Sequence, residues 1–220
     1  MSSRWLTFDC FGTLIDWRHG IRTTAEMLFP GQGDAFLDAF VGVENEVEGE
    51  RPFRRYRDVL AETTRRVAAR LSLELEPDDA TALVSTIPHW QPFADVGPTL
   101  AGLRREGWNM ALLTNCDRDL IALTQRRLPA SFDAVVTAED VSAYKPDHAH
   151  FERFRTSFGE SAAAWIHVAQ SYFHDITPAH ELGIARIWVN RQGEKHDPSL
   201  ADGVIRGLDE LPQKLLDRSP

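Results

Sequence analysis

The second half of the chain alternates short apolar segments with helical ones, and this alternation limits the folds that it can adopt. From Asp95 onward, helical periodicity separates four apolar segments, at residues 108–113, 134–137, 165–169 and 185–189. Strands that alternate with helices indicate a parallel sheet with right-handed crossovers. Residues 5–8, rich in aromatic and β-branched side chains, add an N-terminal strand. The sequence therefore predicts an α/β fold built on a parallel sheet of five strands.

Between the first strand and residue 93, the sequence shows helical periodicity and no strand pattern. After a turn at residues 29–33 (FPGQG), amphipathic helices are predicted to begin near residues 34, 53 and 77. Their aromatic and aliphatic stripes are typical of helix packing. We therefore expect two parts, a Rossmann-like core and an inserted helical domain, over residues 1–15 with 93–220 and residues 16–92, respectively.

Composition and charge limit the partners. The chain has 220 residues, of which 43% are hydrophobic and 26% charged, as in ordinary globular proteins. Its net charge of -9 argues against nucleic acid and acidic membrane surfaces as partners. No apolar run approaches the length of a membrane span, and the N-terminus lacks the layout of a signal peptide. Because the two cysteines, Cys10 and Cys116, also suit a reducing compartment, we expect a cytoplasmic protein.

A mixed-charge segment lies within the predicted insertion. Four glutamates precede four arginines there, at Glu44, Glu46, Glu48, Glu50, Arg51, Arg54, Arg55 and Arg57. A segment of this kind is interpreted as a solvated helix face.

Polar side chains follow several of the predicted strands. Asp9 follows the first strand, and Thr114 and Asn115 end the second. Lys145 comes after the third strand and Asp175 after the fourth. The carboxyl ends of parallel strands meet at one edge of the sheet, where open α/β folds bind ligands. Each residue also has a plain interpretation as a turn, an extended surface segment or a helix cap, but their convergence favours a chemical role.

Asp9 has the surroundings that a carboxylate nucleophile requires. Such a group needs hydrogen-bond donors that fix its orientation, and a nearby cation that keeps it ionised and offsets charge in the transition state. Thr13 and Thr114 offer hydroxyl groups, Asn115 offers an amide, and Lys145 offers the cation. The residues alone therefore indicate a candidate site for covalent catalysis by Asp9.

Four segments resemble, in order and spacing, the motifs of the haloacid dehalogenase superfamily. They are residues 9–13 (DCFGT), 113–115 (LTN), 144–146 (YKP) and 171–175 (SYFHD). The resemblance covers nearly the whole chain. It implies that the helical insertion is the cap domain that these proteins place between their first and second motifs.

Two positions discriminate between branches of that superfamily. Its magnesium-dependent phosphatases resemble D-x-D-x-T and carry a further aspartate before the last one, whereas this chain has Phe11 and Gln170 at those places. Mg²⁺ prefers anionic oxygen ligands, and a phenyl ring cannot transfer a proton. The chain instead resembles the L-2-haloacid dehalogenase branch, which has an aromatic residue at the Phe11 position and works without a metal. Residues 29–33 are also similar to the cap entry of that branch.

The resemblance implies hydrolysis in two steps without a cofactor. Asp9 displaces a leaving group from the carbon next to a carboxylate and forms an ester, and water, helped by Asp175, then attacks the ester carbonyl. Lys145 keeps Asp9 ionised, and Thr13 completes the catalytic set. The expected substrate is a small 2-substituted carboxylic acid. The other candidate binding residues are Cys10, Phe11, Thr114, Asn115, Phe151, Gln170, Ser171, Tyr172 and His174.

The leaving-group end of the site departs from this branch. Val41 stands where a cap arginine receives the halide, so that Arg51 or Arg54 becomes the candidate replacement. Three further positions differ from the residues that the branch tends to have: Phe151, Gln170 and Tyr172. A different electrophile, such as a strained ring or another activated acid, is therefore also expected.

Two other functions stay open. A phosphatase would recruit Mg²⁺ through Asp9, the Phe11 carbonyl and Asp175, and a noncatalytic binding protein would keep the fold while its pocket changed. His174 is either a packing residue at a helix start or a general base for ester hydrolysis. A homodimer also stays open.

Overall fold

A parallel sheet forms the centre of the computed structural model, which describes residues 4–158 and 164–217. Within these ranges the strands are β1 (Arg4–Phe8), β2 (Asn109–Thr114), β3 (Ala134–Thr137), β4 (Ala164–Ala169), β5 (Ala185–Val189) and β6 (Gly203–Ile205). Their order in the sheet is β3-β2-β1-β4-β5-β6, and every neighbouring pair is parallel. The predicted Rossmann-like α/β fold is confirmed. The prediction of five strands was wrong, because β6 extends the sheet at one edge.

Helices flank the sheet and fill the segment between β1 and β2. They are α1 (Trp17–Leu28), α2 (Gly33–Gly49), α3 (Tyr56–Arg70), α4 (Ala82–Thr86), α5 (Val96–Arg105), α6 (Arg118–Thr124), α7 (Ala138–Val141), α8 (Ala149–Phe158), α9 (Thr177–Glu181) and α10 (Leu211–Leu216). Short 3₁₀ turns flank α4, and a π-helical turn, Tyr172–Ile176, precedes α9. No helix in the described ranges has the length and apolar character needed to cross a membrane.

The central position of β1 determines where Asp9 emerges. β1 pairs with β2 on one side and with β4 on the other. Its residues Leu6 and Phe8 belong to the larger core cluster, whereas Trp5 packs in a second cluster against Phe154. A parallel strand buried on both faces needs apolar residues at successive positions, as this segment has. Asp9 therefore leaves the sheet at the point where the strand order reverses, which is the usual ligand crevice of such sheets.

The insertion contains one helix that the sequence analysis did not predict. α1 begins at Trp17, directly after Asp16, whose carboxylate accepts a hydrogen bond from the His19 backbone N–H at 3.0 Å. This side-chain cap satisfies a backbone donor that would otherwise lack a partner at the helix start. The turn predicted at residues 29–33 is confirmed, because Gly31 has a φ of 81° and links α1 to α2.

Gly20 on α1 tests how tightly the insertion packs. A Cβ atom at Gly20 would overlap the Trp90 ring, so Gly20→Ala should lower the free energy of unfolding by about 1–3 kcal/mol. Gly42 on α2 is exposed and has open space where its Cβ would be. Gly42→Ala should therefore raise the free energy of unfolding by roughly 0.5–1 kcal/mol, because alanine favours the helix. Urea unfolding of both variants measures the difference, and effects of the same sign would contradict this packing.

Candidate active site

The Lys145 ammonium group links the two acidic residues predicted to do the chemistry. Its Nζ donates hydrogen bonds to Asp9 Oδ1 at 3.0 Å, to Asp175 Oδ1 at 2.7 Å and to the Leu113 carbonyl oxygen at 2.9 Å. The lysine side chain is only 1% exposed. An ammonium group has three donors, and these three acceptors use all of them. Asp9, Lys145 and Asp175 therefore lie together, as the sequence analysis predicted.

Asn115 holds Lys145 in place through its backbone. The Lys145 N–H donates to Asn115 Oδ1 at 2.7 Å, and Asn115 Nδ2 donates to the Lys145 carbonyl oxygen at 3.1 Å. This pair of hydrogen bonds fixes the segment after β3 against the end of β2. The structure thus gives Asn115 a role in positioning the lysine, whereas the prediction had it contact Asp9 and the substrate.

Thr13 fixes the other oxygen of Asp9. Thr13 Oγ1 donates to Asp9 Oδ2 at 2.9 Å and accepts a hydrogen bond from the Gln170 N–H at 2.8 Å. Gly12 lets the backbone turn back at this point, since its φ of 100° disfavours any residue with a side chain. Each Asp9 oxygen therefore has one donor, which limits the rotation of the carboxylate.

Asp175 is held by a chain of buried groups that starts at Trp165. Trp165 Nε1 donates to Thr7 Oγ1 at 2.8 Å, and Thr7 Oγ1 lies 2.8 Å from His167 Nδ1. His167 Nε2 lies 2.9 Å from Asp175 Oδ1 and must be the donor there, because an ionised carboxylate can only accept. The second oxygen, Asp175 Oδ2, is buried and has no hydrogen-bond partner among the described residues. That oxygen is the free acceptor of the site.

Burial and the shared ammonium group set the ionisation of the three groups. Burial raises the pKa of Asp9 above its usual value, and the Lys145 ammonium opposes this rise. Burial would also raise the pKa of Asp175, but Lys145 and the hydrogen bond from His167 lower it to about 2. Although burial alone would lower the pKa of Lys145, the two carboxylates raise it. Lys145 therefore stays charged at neutral pH and favours the ionised carboxylates.

Asp9 opens into a cavity of about 280 Å³ between the sheet edge and the helical insertion. The side chain of Asp9 is 10% exposed. Ten of the predicted site residues line the cavity, namely Asp9, Phe11, Thr114, Asn115, Lys145, Gln170, Ser171, Tyr172, His174 and Asp175. The volume suits a small molecule. Thr114 Oγ1 is buried without a hydrogen-bond partner in the described part of the chain, so a ligand can use it.

Three predicted site residues do not line the cavity. Thr13 contacts Asp9 through its hydrogen bond and not the cavity itself, so the structure makes it a residue that orients Asp9. The prediction that Cys10 binds substrate was wrong, because its side chain is fully buried in the main core, where burial raises the thiol pKa. The same prediction for Phe151 was also wrong. Its ring packs edge-on against His167 within the second core cluster.

Arg18 is the arginine that lines the cavity, in place of the predicted Arg51 or Arg54. Arg51 donates to backbone carbonyls at the end of α2, and Arg54 pairs with Glu50 at 2.8 Å. Arg18 lies on the first turn of α1, with its guanidinium 5.4 Å from the centre of the Trp17 ring. It makes no ion pair with a carboxylate of the described residues. The sequence signal that could have placed it here is Asp16, whose carboxylate caps the start of α1 and so puts residue 18 on the first turn of a helix that begins close to Asp9.

The mixed-charge segment is not a solvated face throughout. Glu44 and Glu48 line the cavity, and the Glu48 side chain is only 8% exposed. Arg55 and Arg57 reach across to acidic residues after β2, of which Asp117 is fully buried. The prediction of a solvated face failed for a simple reason. Spacing of i, i+4 shows that Glu44 and Glu48 share one face of the helix, but it does not show which part of the protein that face contacts.

Comparison with known proteins identifies the family. A sequence model of the haloacid dehalogenase-like hydrolases matches residues 7–189. The chain belongs to that family. An (S)-2-haloacid dehalogenase of Pseudomonas putida is 25% identical over 215 residues, which cover 94% of this chain and 93% of that protein. Haloacetate dehalogenase H-2 of Moraxella sp. (strain B) is 23% identical over 87% of this chain and 88% of its own length.

Solved structures of dehalogenases share the fold of this haloacid dehalogenase-like hydrolase. The L-2-haloacid dehalogenase of Xanthobacter autotrophicus superposes with a TM-score of 0.86 at 19% identity, covering 99% of this chain and 100% of that one. The same enzyme with chloropropionic acid covalently bound gives a TM-score of 0.85 at 20% identity, with the same coverage.

Removal of the shared ammonium group should destabilise the fold in a pH-dependent way. Lys145→Met leaves Asp9 and Asp175 without a counter-charge, so the free energy of unfolding should fall by about 3–5 kcal/mol at neutral pH. The deficit should shrink as the pH falls from 3.8 towards about 2, where the stabilising ionisation of Asp175 is lost in the parent protein. Arg66→Met, which removes a partly exposed partner of Glu50 and Glu62, should cost far less, because solvent screens that ion pair. Urea unfolding at a series of pH values measures both, and a pH-independent deficit for Lys145→Met would contradict the charge argument.

Proposed function

We propose that this protein is a hydrolase that uses Asp9 as a covalent nucleophile, without a metal, on a small 2-substituted carboxylic acid. The observation that carries the proposal is the Lys145 ammonium group, which contacts Asp9 and Asp175 at the closed end of a cavity for a small molecule. A carboxylate that is buried, oriented by two donors and matched by a fixed cation meets the requirements of a nucleophile.

In the first step, an oxygen of Asp9 attacks the carbon next to the substrate carboxylate. A carbon–oxygen bond forms, and the bond to the leaving group breaks with its electron pair going to that group. Arg18, the arginine that lines the cavity, and the Thr114 hydroxyl, which has no partner in the described residues, are candidate donors for the substrate carboxylate, whereas Lys145 directs its donors to groups within the protein. The product of this step is an ester of Asp9.

In the second step, water attacks the carbonyl carbon of that ester. Asp175 Oδ2, which has no partner in the described structure, can accept a hydrogen bond from this water and orient it. The bond between the ester carbonyl carbon and the bridging oxygen, which came from Asp9, then breaks, and that oxygen leaves with the 2-hydroxy acid. The water supplies the replacement oxygen of Asp9; one of its protons goes to the departing hydroxyl oxygen and the other is released to solvent, so the free carboxylate returns.

The relatives support this chemistry. The comparisons include (S)-2-haloacid dehalogenases, and the Xanthobacter autotrophicus dehalogenase has been crystallised with chloropropionic acid covalently bound. A halide is one leaving group that the proposed scheme accepts. The different lining at Val41 and Arg18 leaves room for others.

The residues present do not fit a magnesium ion, which a phosphatase of this superfamily would require. Lys145 Nζ lies within 3.0 Å of an oxygen of Asp9 and of Asp175, so a positive group already lies between the two carboxylates. Gln170 replaces a carboxylate and donates from Nε2 to Glu194 at 2.9 Å. No cluster of three His, Cys, Asp or Glu side chains with metal-site geometry occurs in the described ranges.

Turnover in ¹⁸O-water distinguishes the covalent route from direct attack by water. With enzyme in excess over (S)-2-chloropropionate or another 2-substituted acid, one turnover should place ¹⁸O in the Asp9 peptide and leave the 2-hydroxy acid unlabelled. Direct attack would give a labelled product and an unlabelled peptide, and would refute the proposal. Asp9→Asn, which lacks the nucleophile, should form no labelled product above background. Mass spectrometry of peptide and product measures both labels.

Arg18 should contribute to substrate binding more than to chemistry. Arg18→Ala should raise KM about 10- to 100-fold with a smaller change in kcat, because a charge-assisted hydrogen bond to the substrate carboxylate is lost. Arg22→Ala, one turn later on the same helix, removes an exposed arginine that pairs with Asp34 and should leave both constants nearly unchanged. Steady-state kinetics on the substrate used for labelling measures the effect, and equal effects of the two substitutions would contradict the role of Arg18.

A further inference from the structure

Two acidic side chains of the helical insertion face the cavity that contains Asp9. Glu44 and Glu48 lie one turn apart on α2, and both line the cavity. Glu44 Oε1 accepts a hydrogen bond from the Tyr56 hydroxyl at 2.7 Å. Glu48 is buried to more than nine-tenths, with its side chain 8% exposed. The proposed chemistry uses neither residue.

Neither carboxyl group has a cation in contact within the described part of the chain. The nearest candidate is His174, whose Nε2 lies 3.9 Å from Glu48 Oε2. Burial lowers the pKa of His174 to about 4, so its ring is neutral near pH 7. By contrast, Glu50, at the end of the same helix, has two cationic partners: Arg54 at 2.8 Å and Arg66 at 2.6 Å.

A buried carboxylate without a cationic partner destabilises the folded protein, because no interaction offsets its loss of hydration. Burial raises the pKa of Glu44 to about 7, and burial together with the nearby Glu44 raises the pKa of Glu48 well above its usual value. Both shifts favour a proton bound to the pair. A positively charged ligand group would favour release of that proton and would supply the missing counter-charge.

The other charges of the cavity make a further anion unfavourable near α2. Four more carboxylates line it, at Asp9, Asp16, Asp175 and Glu194, against two cations at Lys145 and Arg18. Lys145 directs its donors to Asp9, Asp175 and a backbone carbonyl. Beyond the space near Arg18, the cavity therefore has an excess of negative charge.

We propose that Glu44 and Glu48 bind a protonated amine of the substrate, so that the natural substrate is a small zwitterion whose carboxylate meets Arg18 and whose ammonium group meets α2. This inference names the substrate class of the proposed hydrolase and rests on that function. The two glutamates act as specificity-determining residues, because they select among acids that Asp9 can attack.

The first test compares two unreactive probes that differ in one ammonium group, 4-aminobutanoate and butanoate. Isothermal titration of the unaltered full chain should show 4-aminobutanoate binding about tenfold tighter or more, the effect of a charge-assisted hydrogen bond. Glu48→Gln and Glu44→Gln should each remove most of this preference. Glu46→Gln, on the exposed side of the same helix, should keep it. Thermal unfolding of each variant checks that it folds.

The second test measures protons released on binding. At pH 7, titration of 4-aminobutanoate in phosphate and in Tris buffer should give different apparent enthalpies, because the glutamate pair ionises as the amine binds. Glu48→Gln should reduce this release. The other titratable or charged groups that face the pair are Tyr56, Tyr144, Lys145 and His174. The two tyrosines and Lys145 keep their protons at pH 7 and His174 has none to lose, so none of them releases a proton there.

The proposal is overturned if the unaltered protein binds butanoate as tightly as 4-aminobutanoate, or if Glu48→Gln keeps the preference for the amine. The first outcome needs no variant, so a variant that fails to fold does not weaken the test. Neither probe is turned over, so binding is independent of the labelling of Asp9. Label without an amine preference would reject only this inference, whereas an amine preference without label would reject only the covalent mechanism.

Discussion

The Lys145 ammonium group between two buried carboxylates is the interaction on which the rest of the site depends. Without that cation, Asp9 and Asp175 could not both stay ionised so close together in a buried site. The groups that it contacts come from different parts of the chain: Asp9 from the end of β1, Asp175 from the turn after β4 and the Leu113 carbonyl from β2. These contacts depend on β1 lying between β2 and β4, so the environment of Asp9, the proposed nucleophile, is a product of the sheet topology.

The same topology determines what faces the nucleophile. Because β2 and β4 lie on opposite sides of β1, the loops beyond the strands diverge and leave a crevice above Asp9. The helical insertion begins directly after the loop that follows β1. Its first helix, α1, therefore starts at the cavity, with Trp17 and Arg18 on the first turn. The core thus provides the proposed nucleophile, Asp9, with its charge already matched inside the protein, and the insertion adds Arg18, Glu44 and Glu48 to the lining of the cavity.

Much of this site could be predicted from the sequence, and the failures have a common physical cause. Asp9, Lys145 and Asp175 follow strands, and parallel strands bring their carboxyl ends to one edge whatever the helices do. Arg18 and Glu48 lie on helices, where spacing shows which residues share a face but not which surface that face meets. The position of Phe151 in the family pattern suggested a pocket residue, yet the local backbone turns its ring towards His167. The strand β6 was missed because it has three residues and begins with glycine.

Charge balance then links the nucleophile to substrate selection. Since Lys145 uses its three donors within the protein, it has none left for a hydrogen bond to a group of the substrate. In the proposed scheme Arg18 meets the substrate carboxylate, and an anionic leaving group that departs towards α2 would form beside Glu44 and Glu48. Val41 stands where the resemblance to haloacid dehalogenases predicts an arginine, so this cavity lacks a cation at the place where it also contains two unmatched carboxyl groups. Both differences make the local charge more negative, and the proposed zwitterionic substrate, whose ammonium group meets α2, would balance it.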